Sequence, residues 1–139
     1  MPMRQLRTEH AELVRLSRKL RVHLYPARPQ QLEELLLCRD RFHALLVVHR
    51  NNEDRLLYPR LARHGDPAVA ALAARFTREM GALEDEVGRW MAKWTPGAIA
   101  PGWDAFRTET EELLDALSVH IVRENRELYP LIERAAMAA

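Results

Sequence analysis

The stretch His49-Arg50-Asn51-Asn52-Glu53-Asp54-Arg55-Leu56-Leu57-Tyr58-Pro59 returns 71 residues later as His120-Ile121-Val122-Arg123-Glu124-Asn125-Arg126-Glu127-Leu128-Tyr129-Pro130. With Arg63 and Arg134 four residues beyond each Pro, seven identities recur at that one offset. A weaker echo at an offset of 70 sets Leu6, Glu9, Leu13 and Pro26 against Phe76, Glu79, Leu83 and Pro96. Self-similarity at a fixed spacing marks a repeated structural unit. The unit reads as a helical hairpin, and two of them imply a pseudo-two-fold axis. The match breaks at one informative position, where His10 falls opposite Met80.

Outward from the repeat, apolar spacing places four helices. Leu6, Leu13, Leu16, Leu20 and Leu24 define the first, ended by Tyr25-Pro26-Ala27-Arg28-Pro29. The second starts after Pro29, carries Leu32, Leu35, Leu36, Phe42, Leu45, Leu46, Leu56 and Leu57, and closes at His64-Gly65-Asp66-Pro67. There Gly65 suits a helix end, Asp66 an N-cap and Pro67 a first helical position. The third runs through Val69, Leu72, Phe76, Leu83, Val87, Trp90 and Trp94 to the longest connection, marked by Thr95-Pro96-Gly97 and Pro101-Gly102. The fourth follows from about Trp103, with Phe106, Leu113, Leu117, Ile121, Leu128 and Ile132 on its apolar side. Four long helices with turn-rich links predict an all-α, up-and-down antiparallel four-helix bundle forming one domain over residues 1–139. Pro within a helical pattern removes a backbone donor and clashes with the carbonyl four residues earlier, so kinks or terminal turns are expected near Pro59 and Pro130.

Residues four apart on a helix differ by about 40° around its axis, so His49 with Glu53, and His120 with Glu124, each aim two donors one way. The direction is inward: His49 shares its stripe with Phe42, Leu45 and Leu56, and His120 shares one with Leu113, Leu117 and Leu128. An ionised Glu on an apolar stripe is costly unless paired or coordinated. His10 adds an imidazole from the first helix, and Glu84 lies at the edge of the stripe made by Phe76, Leu83 and Val87 on the third. His10, His49, Glu53, Glu84, His120 and Glu124 are therefore the candidate metal ligands. Mixed imidazole and carboxylate donors suit Fe or Mn, less specifically Zn, and carboxylates able to bridge suit a two-metal site.

The segments His49 to Leu61 and His120 to Ile132, each His-x-x-x-Glu followed by Leu-Tyr-Pro, resemble the paired signatures of hemerythrin-like (HHE cation-binding) domains. Glu9-His10 at the start of the first helix resembles that family's first ligand motif. The resemblance covers nearly the whole chain. It implies that His10 and His49 bind one non-haem iron, that His120 binds a second, and that Glu53 and Glu124 bridge the pair. The family usually places a His at the Met80 position and a His or Glu one turn later; here only Glu84 stands in that region. A thioether is a poor ligand for a hard iron ion, so the second ion is expected to be weakly held, more open to ligand, or absent.

Composition narrows the remaining choices. The 139 residues are 47% hydrophobic and 29% charged with 5 Gly, the balance of a helical globular protein. Lys plus Arg number 21 against 20 Asp plus Glu, so no large basic field exists for nucleic acid or an anionic membrane. No apolar run approaches the length of a bilayer span. The single cysteine, Cys38, excludes an intrachain disulfide, and without a leader pattern at Met1 the expectation is a reducing cytoplasm. No Ser/His/Asp set, phosphate loop or thiolate zinc spacing occurs.

The plainer readings are core packing for Met80, a solvated place beside Asp85 and Glu86 for Glu84, and bystander positions for His23, His43 and His64. Trp90, Trp94 and Trp103 are expected to close one end of the core, and Tyr58 and Tyr129 to pack near the kinks. The leading functional reading is a non-haem iron protein, its ions a di-iron pair as the resemblance implies, that binds or senses a small ligand such as dioxygen, nitric oxide or peroxide. The alternatives are an iron enzyme consuming peroxide or dioxygen, and a helical interaction module, engaging a protein partner or a second copy, whose metal is structural or lost.

Overall fold

The computed structural model describes the backbone of residues 2–138 and the side chains of residues 3–134. Among these the fold is all-helical, with no strand. Four long helices dominate: α1 (Pro2–Leu24), α2 (Leu32–Leu56), α4 (Pro67–Lys93) and α6 (Trp103–Arg123). Two short ones, α3 (Tyr58–Ala62) and α5 (Pro96–Ile99), lie between them, and a π-helical turn (Glu124–Leu128) joins α6 to α7 (Tyr129–Ala138). No helix of the described residues is long and apolar enough to cross a membrane.

Cross-helix bonds fix the register. Cys38 reaches the Leu16 carbonyl while His49 reaches Glu9, so α1 and α2 run in opposite directions. Arg107 donates to the Leu24 carbonyl and His10 meets Asn125, which sets α6 and the π-turn antiparallel to α1 as well. Trp94 donates to Glu109 and Arg123 to Glu79, reversing α6 on α4. Two arginines cap helix ends: Arg107 serves α1, and the buried Arg39 donates to the Trp94 carbonyl at 2.6 Å. A cation at a helix C-terminus satisfies free carbonyls and opposes the negative end of the dipole.

The apolar interior is split in two. One cluster gathers Leu13, Leu20, Leu46, Met80, Leu117 and Ile121, and continues to the tryptophan end. The other gathers Leu6, Leu57, Leu61, Phe76, Leu128 and Ile132. Between them three stretches change character: His10 stands between Leu6 and Leu13, His49 and Glu53 between Leu46 and Leu57, and Glu124 between Ile121 and Leu128, whereas α4 passes from Phe76 to Met80 with no buried polar residue. A layer of buried polar residues therefore crosses the core.

The tryptophans close one end as expected. Trp90, Trp94 and Trp103 are all buried, and their indole N–H groups donate to Thr110, Glu109 and the Pro26 carbonyl, while all three rings meet Phe106. Asp66 caps α4 through the Ala68 amide at 2.9 Å, with Pro67 at the first position. Two details differ from the sequence expectation. Gly65 does not end the second helix, which breaks at Leu57 and resumes as α3 only as far as Ala62. The long connection also folds its own turn, α5, after Pro96.

Both prolines disturb their helices, by different routes. Before Pro59 the helix is distorted at Leu57 (φ −112°, ψ −63°), whose amide still bonds the Glu53 carbonyl, and Pro59 sits in the first turn of α3, where no donor is missed. Before Pro130 the helix stays continuous by widening: the Tyr129 amide bonds back to the Glu124 carbonyl, five residues earlier. Such π-turns recur at functional sites.

Candidate metal centre

His10, His49, Glu53 and Glu124 bring four ligand-type atoms within 4.8 Å of one another. All four residues are between 1% and 3% exposed, so water does not screen them. His10 Nε2 lies 3.2 Å from Glu124 Oε1 and 3.9 Å from Glu53 Oε2, and His49 Nε2 lies 3.4 Å from Glu53 Oε2. His120 adjoins the group through Glu124, with Nε2 3.5 Å from Oε2.

The outer nitrogens of two imidazoles are tied down. His49 Nδ1 lies 2.7 Å from the Glu9 carboxylate, which also accepts from Asn52, and His10 Nδ1 lies 2.8 Å from the Asn125 carbonyl oxygen. Both partners are acceptors, so each Nδ1 carries the proton and each Nε2 turns a lone pair inward. Acceptor-only partners behind metal-facing histidines are the usual means of fixing tautomer and ring orientation.

The inner face is short of donors. His49 Nε2, Glu53 Oε1 and both ring nitrogens of His120 are buried without a hydrogen-bond partner. Nitrogen lone pairs facing carboxylate oxygens across little more than 3 Å repel unless a proton or a cation lies between them. Without a cation, protons take its place, and the electrostatics show how the groups would share them. Burial and the neighbouring Glu124 push the Glu53 carboxyl up to about 8, against the pull of His49. Burial opposes charge on Glu124 too, but His10 and His120 outweigh it and hold its carboxyl well below the usual range. Burial likewise opposes charge on His49, yet Glu53 and Glu9 raise its imidazole overall. The donor set therefore fits a cation: it offers imidazole nitrogens and carboxylate oxygens, without thiolate.

Two phenols complete the layer. Tyr58 donates to Glu124 Oε2 at 2.6 Å, and Tyr129 donates to Glu53 Oε2 at 2.8 Å while its oxygen lies 3.0 Å from His10 Nε2. Burial first, then the two carboxylates, raise both phenols far above their ordinary value, so they stay protonated donors.

Of the six residues singled out from the sequence, four converge, His120 stands beside them, and Glu84 does not join. The Glu84 side chain is 43% exposed and forms an ion pair with Arg50 between α2 and α4, its Oε1 lying 2.9 Å from Nε. Met80 is buried in the apolar cluster with Leu13 and Leu117. His64 accepts from the Asp66 amide in its turn. The residues missed were Glu9 as the partner of His49 and Asn125 as the partner of His10. Glu9 carried a signal, since it belongs to the offset-70 echo. Asn125 carried none, because its reach depends on the π-turn.

The fold and this layer together define a helical protein with a buried His/Glu cluster able to hold a metal cation. The chain matches the hemerythrin HHE cation-binding domain over residues 1–132 and belongs to that family. No curated protein and no solved structure matches it.

Proposed function

We propose that this protein holds non-haem iron in the polar layer and uses it to bind or sense a small ligand such as dioxygen, nitric oxide or peroxide. The observation that carries the reading is the convergence of His10 and His49 Nε2 on the buried Glu53 and Glu124 carboxylates, with His49 Nε2 and Glu53 Oε1 left without a hydrogen-bond partner. In the arrangement we infer, His10 and His49 serve one ion, His120 serves a second, and Glu53 and Glu124 bridge them. The frame is an up-and-down four-helix bundle whose sequence repeat becomes a pseudo-two-fold axis through the two carboxylates. Glu84, engaged by Arg50, is left out of this set, and Met80 offers no oxygen or nitrogen. The second ion is therefore the less saturated one. Iron at such a position supplies an open coordination place for a small ligand. The protein's own part is to hold the imidazoles in one tautomer, keep the carboxylates oriented, and exclude water.

That under-supplied half also favours a second reading, in which a single ion is held by His10, His49, Glu53 and Glu124. Metal content per chain, measured with the optical spectrum in air, separates the two. Two irons with near-ultraviolet absorption of an oxo-bridged ferric pair support the first, and one iron without it supports the second. Protein purified from iron-replete cells with no transition metal bound would sink both. A His49→Ala, His120→Ala variant is expected to lose its metal.

A further inference from the structure

Tyr58 and Tyr129 occupy equivalent places in the two repeats, as do Glu53 and Glu124, each pair being 71 residues apart. Their hydrogen bonds cross between repeats. Tyr58 of the first binds Glu124 of the second, and Tyr129 of the second binds Glu53 of the first. In both cases the accepting oxygen is Oε2, the one that lies 3.4 Å or 3.5 Å from the His of its own repeat. Both phenols are buried, at 6% and 0% exposure. A buried phenol needs some acceptor. Packing alone does not require that both choose the carboxylate of the opposite repeat.

We propose that the two tyrosines are positioning residues, a reciprocal strap in which each phenol locks one oxygen of the other repeat's carboxylate and leaves the second oxygen to reach across the site. The inference rests on the metal reading above. A glutamate side chain ends in a soft torsion, and a carboxylate free to turn can close both oxygens onto one ion. A phenol fixed to Oε2 removes that freedom. In Glu53 the other oxygen, Oε1, has no partner at all, and in Glu124 it faces His10. Each repeat thus restrains the ligand of the other, and a cation-bridging geometry is set before any cation arrives. Tyr129 also stacks on the His10 ring, with centroids 4.8 Å apart and planes within 8°, so it restrains an imidazole as well.

The test uses the full chain loaded with ferrous iron, comparing wild type with Tyr58→Phe, Tyr129→Phe and, as a control, Tyr25→Phe at an exposed site. Phe keeps the ring and removes only the hydroxyl. Metal per chain, the rate of iron loss to a colorimetric chelator, and the carboxylate stretches in loaded-minus-metal-free infrared spectra are measured. The expected result is iron loss about tenfold or more faster in each site variant, with the stretches shifting from a bridging toward a chelating pattern, the larger effect in Tyr129→Phe, and no change in Tyr25→Phe. Should Tyr129→Phe fail to fold, Tyr58→Phe carries the test. Wild-type release rates and unshifted stretches in the variants would overturn the inference while leaving the metal reading intact. A visible phenolate-to-iron band in the wild type, lost in either variant, would also overturn it by making the tyrosine a ligand. Wild-type protein that takes up no iron would overturn both.

Discussion

Glu84 and Glu9 both stand outside the four-residue cluster, one paired with an arginine and the other with a histidine of the cluster. Glu84 sits one turn after Met80, where a ligand is wanted, yet its carboxylate faces outward to Arg50. Glu84→Gln is therefore expected to retain wild-type metal content, measured by elemental analysis of the purified protein, whereas Glu124→Ala is expected to lose it. Glu9 touches no other carboxylate of the layer but holds His49 by Nδ1. Removing such a partner lets the ring turn and lowers its basicity, so Glu9→Ala is expected to weaken metal affinity about 10–100-fold in a chelator competition. Cys38 behaves as the lone buried thiol it is. Burial raises its pKa and its Sγ lies 3.6 Å from the Leu16 carbonyl, so alkylation by iodoacetamide is expected to be slow in the native protein and fast in denaturant.

At the scale of elements, the close approach of α6 to the end of α4 depends on Gly102. A Cβ there would meet Trp94 Cζ3 at 2.8 Å and Cη2 at 3.1 Å, against a ring whose N–H is already committed to Glu109. The Gly102 backbone itself has ordinary negative φ, so the obstacle is steric. Gly102→Ala is expected to destabilise by about 1–3 kcal/mol through overpacking, read as a lower midpoint of thermal unfolding by circular dichroism. The helices were legible in the sequence because their apolar spacing and punctuation agree: Asp66-Pro67 starts α4, and Leu6 to Leu24 keep one stripe. The inward His/Glu pairs were legible for the same reason, since period and residue type sufficed to place them. What the periodicity could not show was the behaviour of each Pro. Tyr58-Pro59 and Tyr129-Pro130 are identical dipeptides, yet one ends a helix and the other widens it, a choice made by tertiary packing. The placement of Asn125 behind His10, and the turning away of Glu84 toward Arg50, follow from such packing and leave no mark in spacing.

For the whole molecule, a polar layer between two apolar clusters divides what would otherwise be one continuous core. Orphaned lone pairs in that layer weaken the metal-free form, and a cation that binds only the folded chain adds its binding free energy to folding. At a concentration 100-fold above the dissociation constant this amounts to about 2.7 kcal/mol. Stripping the metal with a chelator is therefore expected to lower the thermal midpoint by roughly 5–10 °C, measured by calorimetry before and after treatment and reversed by adding iron back. A midpoint indifferent to chelation would argue that the layer is satisfied by protons alone.

The polar layer also sets an order of events for a chain made from its N-terminus. Glu9, His10, His49 and Glu53 exist well before Glu124, Asn125 and Tyr129, the residues that complete the cluster and pin His10 and Glu53. Until that segment docks, the first hairpin presents two histidines and two carboxylates without Glu124 or the Tyr129 phenol, a half-made grip. The four-residue cluster is thus complete only once the segment that carries Glu124 has docked, and that docking decides when the site closes.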